Sequence, residues 1–270
     1  MQTLSTETTK APTVQGFGQT ERKDLWWLEP LAVFTGLSLF GVYSTWAAFQ
    51  GAHYAWGPYL SPFYSPELFG SSSHALFGPK PAWWPDRIPF SPSLLILWAP
   101  LGFRGTCYYY RKAYYRAFFQ NPTACAVGKP WKTYCGETEF PLVIQNIHRY
   151  FLYIALLFIA FLTYDGIKAF TRDATKDYIV GGGSIVLILN AFFLSMYTLG
   201  CHSLRHLAGG KLDSFSECAT SCARHKVWSA VTCLNERHML WAWISLCWVG
   251  LSDLYVRLLS MGVITDVRIF

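Results

Sequence analysis

The chain has 270 residues, of which 52% are hydrophobic, 18% aromatic and only 14% charged. Globular domains carry about 25% charged residues, so this composition excludes an ordinary soluble domain and favours a membrane protein. The net charge of +6 does not indicate nucleic-acid binding, because the basic residues cluster in loops between apolar segments, as is usual for membrane proteins.

Residues 1–24 form a polar segment that lacks the apolar core of a cleavable signal peptide. We expect a solvated tail here. The membrane domain is expected to occupy residues 25–270.

Several apolar segments approach the roughly 20 residues that a spanning helix needs. They predict an all-α integral membrane protein, a bundle of five transmembrane helices. The predicted spans are about 30–49, 93–110, 150–167, 183–199 and 239–260. Arg104 interrupts the second span, and a long loop rich in proline and aromatic residues, 51–90, precedes that span.

The lysines and arginines predict the orientation. If the N-terminus is cytoplasmic, the connections on that side hold about twice as many of these residues as those on the other side. Cytoplasmic loops of membrane proteins carry such an excess. We therefore predict a cytoplasmic N-terminus, with the 51–90 loop on the outer side.

Under this topology, most cysteines and histidines lie at or just beyond the cytoplasmic ends of the spans. They are Cys107, Cys125, His148, Cys201, His202, His206, His225 and His238. The cytoplasm is reducing, so disulfides are a poor explanation for these cysteines. Soft ligands gathered on one side predict a redox centre there.

Two pairs of residues and one arginine in or near the predicted spans have a spacing or position that indicates a specific role. His202 and His206 share one helix face and can present two imidazoles to a metal, or simply favour the negative end of a helix. Arg104 costs about 2.5–3.5 kcal/mol within a span. Its side chain can extend to the cytoplasmic interface, or it can pair with a carboxylate, a quinone carbonyl or a negatively charged cluster. Asp253 and Arg257, four residues apart, predict a structural ion pair.

Five strings stand in a recognisable order and spacing. They are YLSPFYSP (59–66), CYYYRKAYYRAFF (107–119), QNIHRYF (145–151), CHSLRHLAGG (201–210) and SDLYVRL (252–258). Together they resemble the single-chain membrane anchor of succinate dehydrogenases of the actinobacterial, mycobacterial type-1 kind, over most of the chain after residue 25.

The resemblance implies a multi-pass subunit that anchors a flavoprotein and an iron–sulfur subunit to the cytoplasmic face of the inner membrane. Electrons from succinate would reach menaquinone in the lipid through this subunit, which has no flavin motif and would not itself oxidise succinate. The oligomeric state of the complex stays open.

The resemblance also implies a Rieske-type [2Fe–2S] cluster, in which two cysteines bind one iron and two histidines bind the other. The compact C-x-H…C-x-x-H arrangement of soluble Rieske domains is absent from the sequence, so the ligands would come from separate segments. The leading candidates are Cys107 and Cys125 with His202 and His206, and the first substitutes are Cys201 and His148. Candidates for quinone binding are Arg104 and Tyr108, with His148 as a further proton donor.

Two alternatives remain open at this point. A b-type haem would need two axial histidines on different helices, such as His148 with His202 or His206, or His238 with either. A transporter or structural assembly protein would carry polar residues near the middle of the bilayer. Only Gly36, Gly41 and Asn190 suggest such a protein.

Overall fold

The computed structural model describes residues 16–130, 138, 140, 142–171, 180–210, 212–214 and 219–269. Residues 1–15 of the predicted tail, Cys135 and Cys218 lie outside this part of the chain. Within it the helices are α1 (Leu28–Gln50), α2 (Trp98–Gly105), α3 (Tyr108–Ala117), α4 (His148–Lys168), α5 (Gly182–Leu199), α6 (His202–Gly209), α7 (Ala219–Glu236) and α8 (His238–Ser260).

Short elements complete the described structure. Strands β1 (Ala55–Trp56) and β2 (Tyr59–Leu60) pair antiparallel, with Trp56 opposite Tyr59. Short 3-10 helices occupy Pro62–Tyr64, Pro92–Leu95 and Leu142–Ile147.

Four helices of the described chain, α1, α4, α5 and α8, are long and apolar enough to cross a membrane. Their bounds agree with the first, third, fourth and fifth predicted spans to within two residues. Helices α5 and α8 form the centre of the bundle, whereas α1 and α4 leave most of their surface exposed, as lipid-facing helices do.

The second predicted span, 93–110, is not one helix, and the prediction of five continuous spans is corrected here. A 3-10 turn at Pro92–Leu95 leads into α2, whose eight residues cover only about 12 Å. Pro100 suits the first turn of a helix but not its interior, and Gly102 and Gly105 weaken the helix that follows. The chain becomes extended at Cys107 (φ −67°, ψ 130°) before α3 begins.

The two ends of the bundle differ. We call the end where the 51–90 loop lies the loop end, and the end where α4 and α8 begin the ligand end. Helix α1 finishes at the loop end, where Ser91 and Ser93 donate hydrogen bonds to the carbonyl of Ala48 (2.5 and 2.7 Å). Because α4 starts at the ligand end, the chain must cross between them. The broken segment 92–106 makes that crossing.

Buried polar contacts fasten the loop to the bundle. Tyr59 donates to Asp266 (2.6 Å), and Ser65 donates to Asp165 of α4 (2.5 Å). Asp253 accepts from Tyr43 (2.6 Å) and from Ser61. These contacts fix the loop as a cap over the loop end.

The predicted ion pair between Asp253 and Arg257 is confirmed. Arg257 Nε lies 3.3 Å from Asp253 Oδ2, and both side chains are almost fully buried. Arg257 also donates to the carbonyl of Ala52 (3.0 Å) and lies over the ring of Trp46.

Candidate functional site

Two cysteines occupy equivalent places at the ligand end. Cys107 joins α2 to α3, and Cys201 joins α5 to α6. Each is extended (ψ 130° and 137°) and serves as the N-cap of the short helix that follows. Both side chains are buried, with 2% of their surface exposed. The sequence therefore places both thiols at helix N-termini, whose backbone amides favour negative charge.

Two histidines are also placed alike. His148 and His238 are the first residues of α4 and α8. His148 Nε2 lies 3.2 Å from Cys201 Sγ, and His238 Nε2 lies 3.7 Å from Cys107 Sγ. We call Cys107, His148, Cys201 and His238 the Cys–His quartet.

The two pairs of the quartet share one buried cluster. Phe103 stacks on His148 with ring centroids 4.7 Å apart, and Tyr197 stacks on His238 at 4.9 Å. Phe103 and Tyr197 meet edge to face at 5.5 Å, which joins the two halves. Cys107 and Cys201 lie close enough to interact electrostatically, as do the two histidines.

Thr106 sets the tautomer of His148. Its hydroxyl donates to the carbonyl of Gly102 (2.6 Å) and lies 2.9 Å from His148 Nδ1. Because a hydroxyl has a single proton, this oxygen accepts from Nδ1–H. The lone pair of Nε2 then points towards Cys201. A histidine whose second nitrogen is bonded in this way is oriented as a metal ligand.

Two buried polar atoms of the cluster have no hydrogen-bond partner in the described part of the chain. They are His238 Nδ1 and the Tyr197 hydroxyl. Such atoms cost about 1–3 kcal/mol each when left unsatisfied. Both atoms lie at the quartet, where they are available to a group bound there.

Burial controls the charge of the Cys201 thiol. It raises the pKa of Cys201 to about 11, against the opposing pull of backbone hydrogen bonds at Ser203 and Leu204. The thiol therefore stays protonated at neutral pH until a cation displaces the proton. No group of three or more His, Cys, Asp or Glu in the described ranges is placed to hold a single metal ion.

The chain is similar in sequence to a family of known proteins. The family model described as actinobacterial succinate dehydrogenase subunit SdhC matches residues 28–262. The chain belongs to this family. A solved chain from the Mycobacterium smegmatis Sdh1 complex in the apo form is 43% identical, with a TM-score of 0.84, over 96% of this chain and 98% of that one. No curated protein matches.

Membership of the SdhC family confirms the resemblance drawn from the five strings. Three predicted ligands, Cys107, His148 and Cys201, are brought together by the fold. The other three are not: Cys125 is exposed in the loop after α3, and His202 and His206 are exposed on α6, with their rings 4.7 Å apart. Partial burial and the neighbouring His206 lower the pKa of His202.

His238 is the member of the quartet that the predicted ligand set omits. The sequence carried a signal for it, because His238 opens its span in the same way as His148 opens another. In sequence it has no cysteine or histidine within four residues, so spacing alone did not pair it with Cys107, 131 residues away.

The predicted quinone residues lie apart. Tyr108 is 58% exposed at the start of α3, and Arg111 lies over its ring. Arg104 points into the bundle and donates to Ser245 (2.9 Å) and to the carbonyl of Ala242 (3.2 Å) of α8.

An aromatic cavity of about 150 Å³ lies beside the quartet. It is lined by Gly105, Thr106, Tyr114, Tyr115, Phe119, Ile144 and Gln145. Gln145 donates to the Tyr114 hydroxyl, which in turn donates to the carbonyl of Gly105 (3.2 Å). Thr106 lines this cavity and also bonds His148, so the cavity adjoins a ligand candidate directly.

Proposed function

We propose that this chain is the membrane-anchor, electron-transfer subunit of a succinate:menaquinone oxidoreductase. Membership of the SdhC family and likeness to a chain of the Sdh1 complex support its assembly with a flavoprotein and an iron–sulfur subunit. The excess of lysine and arginine at the ligand end favours a cytoplasmic location for that end, in the inner membrane.

We further propose that the Cys–His quartet holds a Rieske-type [2Fe–2S] cluster. The carrying observation is that two buried thiols each face an imidazole within 3.7 Å in one cluster of side chains. A Rieske cluster takes two cysteines and two histidines, which is the composition of the quartet. When bound, the group supplies a one-electron carrier with a potential above that of all-cysteine clusters.

The same geometry favours the cluster over the haem alternative. A b-type haem needs two axial nitrogens and no thiols, whereas both imidazoles here lie against sulfur. The unpaired His238 Nδ1 and Tyr197 hydroxyl also suit a polar inorganic group more than a porphyrin edge.

Electron paramagnetic resonance (EPR) of the reduced, purified complex tests this assignment. We expect a signal with the low average g-value of Rieske centres, lost in Cys107→Ser, Cys201→Ser and His238→Gln. Cys125→Ser is the matched control, because that cysteine is exposed and should leave the signal unchanged. Loss of the signal in C125S with retention in C201S would contradict the ligand set. Sharp haem α-bands in the optical spectrum of the reduced complex would indicate a haem in place of the cluster.

We propose that the cavity beside Thr106 receives the quinone ring. Burial raises the pKa of Tyr114 to about 12, so its phenol keeps its proton at neutral pH, and the hydroxyl could turn from the Gly105 carbonyl to donate to a quinone oxygen. Gln145 offers a second polar contact, while Phe119 and Ile144 supply apolar walls for the ring. Arg104 already donates three hydrogen bonds to protein acceptors.

Quinone-reduction kinetics test this location. Tyr114→Phe should lower kcat/KM for a menaquinone analogue by about three- to tenfold, the worth of one hydrogen bond. Succinate oxidation with a soluble acceptor should not change. Tyr108→Phe serves as the control, since its ring lies outside the cavity. A defect in Y108F combined with a normal Y114F would place the quinone elsewhere.

A further inference from the structure

Arg104 carries a positive charge into the bundle beside the quartet. No carboxylate in the described chain lies within ion-pair distance of it, in contrast to Arg257, which has Asp253. Arg104 is half-buried, and a charge drawn out of water without a counter-charge is costly, so a negatively charged group bound nearby would be stabilised.

The guanidinium is held rigidly. Its Nη1 donates to the Tyr110 hydroxyl (2.5 Å) and to the carbonyl of Ala242 (3.2 Å), and its Nη2 donates to Ser245 (2.9 Å). All of these acceptors are neutral. They fix the position of the charge without cancelling it.

One aromatic ring separates this charge from the quartet. The guanidinium carbon lies 4.7 Å from the centroid of the Tyr197 ring, which stacks on His238. His238 in turn faces Cys107. In this buried, water-poor region, a charge at such range acts far more strongly than it would in water.

Reduction makes the charge of the proposed cluster more negative, which is the direction that the positive charge of Arg104 favours. Two ferric ions, two sulfides and two thiolates sum to zero, and neutral histidines add nothing. One electron, delivered by the iron–sulfur subunit and passed on to quinone, makes this total minus one. A fixed positive charge stabilises the reduced form selectively.

We infer that Arg104 is a positioning residue for electron flow, whose fixed charge raises the reduction potential of the cluster. The inference rests on the proposed function of the quartet. It assigns Arg104 to the redox centre and not to the quinone, and it explains why a costly cation lies in the crossing segment.

EPR-monitored redox titration of the purified whole complex tests the inference. Arg104→Gln and Arg104→Met remove the charge, and Arg104→Lys keeps it. We expect the neutral variants to shift the oxidised-to-reduced ratio at least about tenfold towards oxidised, a fall in midpoint potential of about 59 mV for one electron. R104K should stay near wild type. Arg111→Gln is the matched control, because its half-buried charge lies over the ring of Tyr108.

The outcomes separate the two proposals. A wild-type complex without a Rieske-like signal overturns the proposed function. A signal present in R104Q or R104M at the wild-type potential overturns the role of Arg104 alone. Loss of the signal in both neutral variants makes Arg104 an assembly residue, and the inference then fails. An equal shift in R111Q would make the effect nonspecific and would also overturn it.

Discussion

Individual side chains show how this protein places charge inside a membrane. Arg257 is almost fully buried, yet it meets Asp253, a backbone carbonyl and the face of Trp46. Arg104 has neutral acceptors only. The first cation is compensated within the chain, and the second lies over Tyr197, which stacks on His238 of the quartet.

Breaking the compensated pair should be costly. Arg257→Met leaves Asp253 buried and unpaired, so we expect a loss of about 3–5 kcal/mol in stability. Thermal denaturation of the complex in detergent measures the effect. The double variant Asp253→Asn with Arg257→Met is the control, because removing both charges should restore most of the loss. Equal destabilisation by the single and double variants would contradict a role for charge pairing.

At the scale of secondary-structure elements, the quartet is built from two structural patterns that each occur twice. A helix, an extended cysteine and a short helix occur at Cys107 and again at Cys201. A histidine opens α4 and again opens α8. Four helix ends converge at one level, so none of the quartet residues depends on the long loops. Stable secondary structure therefore sets the positions of these side chains, as the proposed redox site would require.

The broken crossing 92–106 also belongs to this scale. In a continuous helix through residue 110, Cys107 would have a helical ψ and would lie inside the helix. The break instead turns the backbone at Cys107 and lets α3 begin with that residue as its N-cap. The departure from the predicted span thus creates the geometry of the site.

At the scale of the whole molecule, the two ends of the bundle differ in structure. The loop end is sealed by the 51–90 cap through buried contacts such as Ser65 with Asp165. The ligand end gathers the quartet and the aromatic cavity, next to basic and polar helices. Residues 16–24 also join this end, because Gly18 and Gln19 exchange backbone hydrogen bonds with Gly128 (both 2.9 Å).

Labelling with a membrane-impermeant maleimide tests the orientation. We expect the native cysteines to stay unlabelled in intact cells, because the exposed ones lie at the ligand end, as Cys125 does, or within the apolar span α8, as Cys247 does. Asp86→Cys, on the 51–90 loop with an exposed side chain, should be labelled from outside. Detergent-denatured cells provide the control for reactivity. Labelling of native cysteines but not of D86C in intact cells would reverse the orientation.

The sequence by itself determined the family, through the order and spacing of the five strings. It also determined four of the crossings and the end of the bundle at which most cysteines and histidines lie, because runs of apolar residues and the distribution of charge are local quantities. The ion pair of Asp253 with Arg257 was predictable for the same reason, since four residues make one helical turn.

Only the tertiary structure decided which cysteines and histidines meet. Cys107 and His238 are 131 residues apart, and their contact depends on how α8 packs against the α2–α3 junction. Spacing favoured His202 and His206, which share a face of α6, but that face is exposed. Local periodicity fixes which residues share a helix face. Only packing between helices fixes which faces are buried together, and the proposed redox centre lies at such a junction.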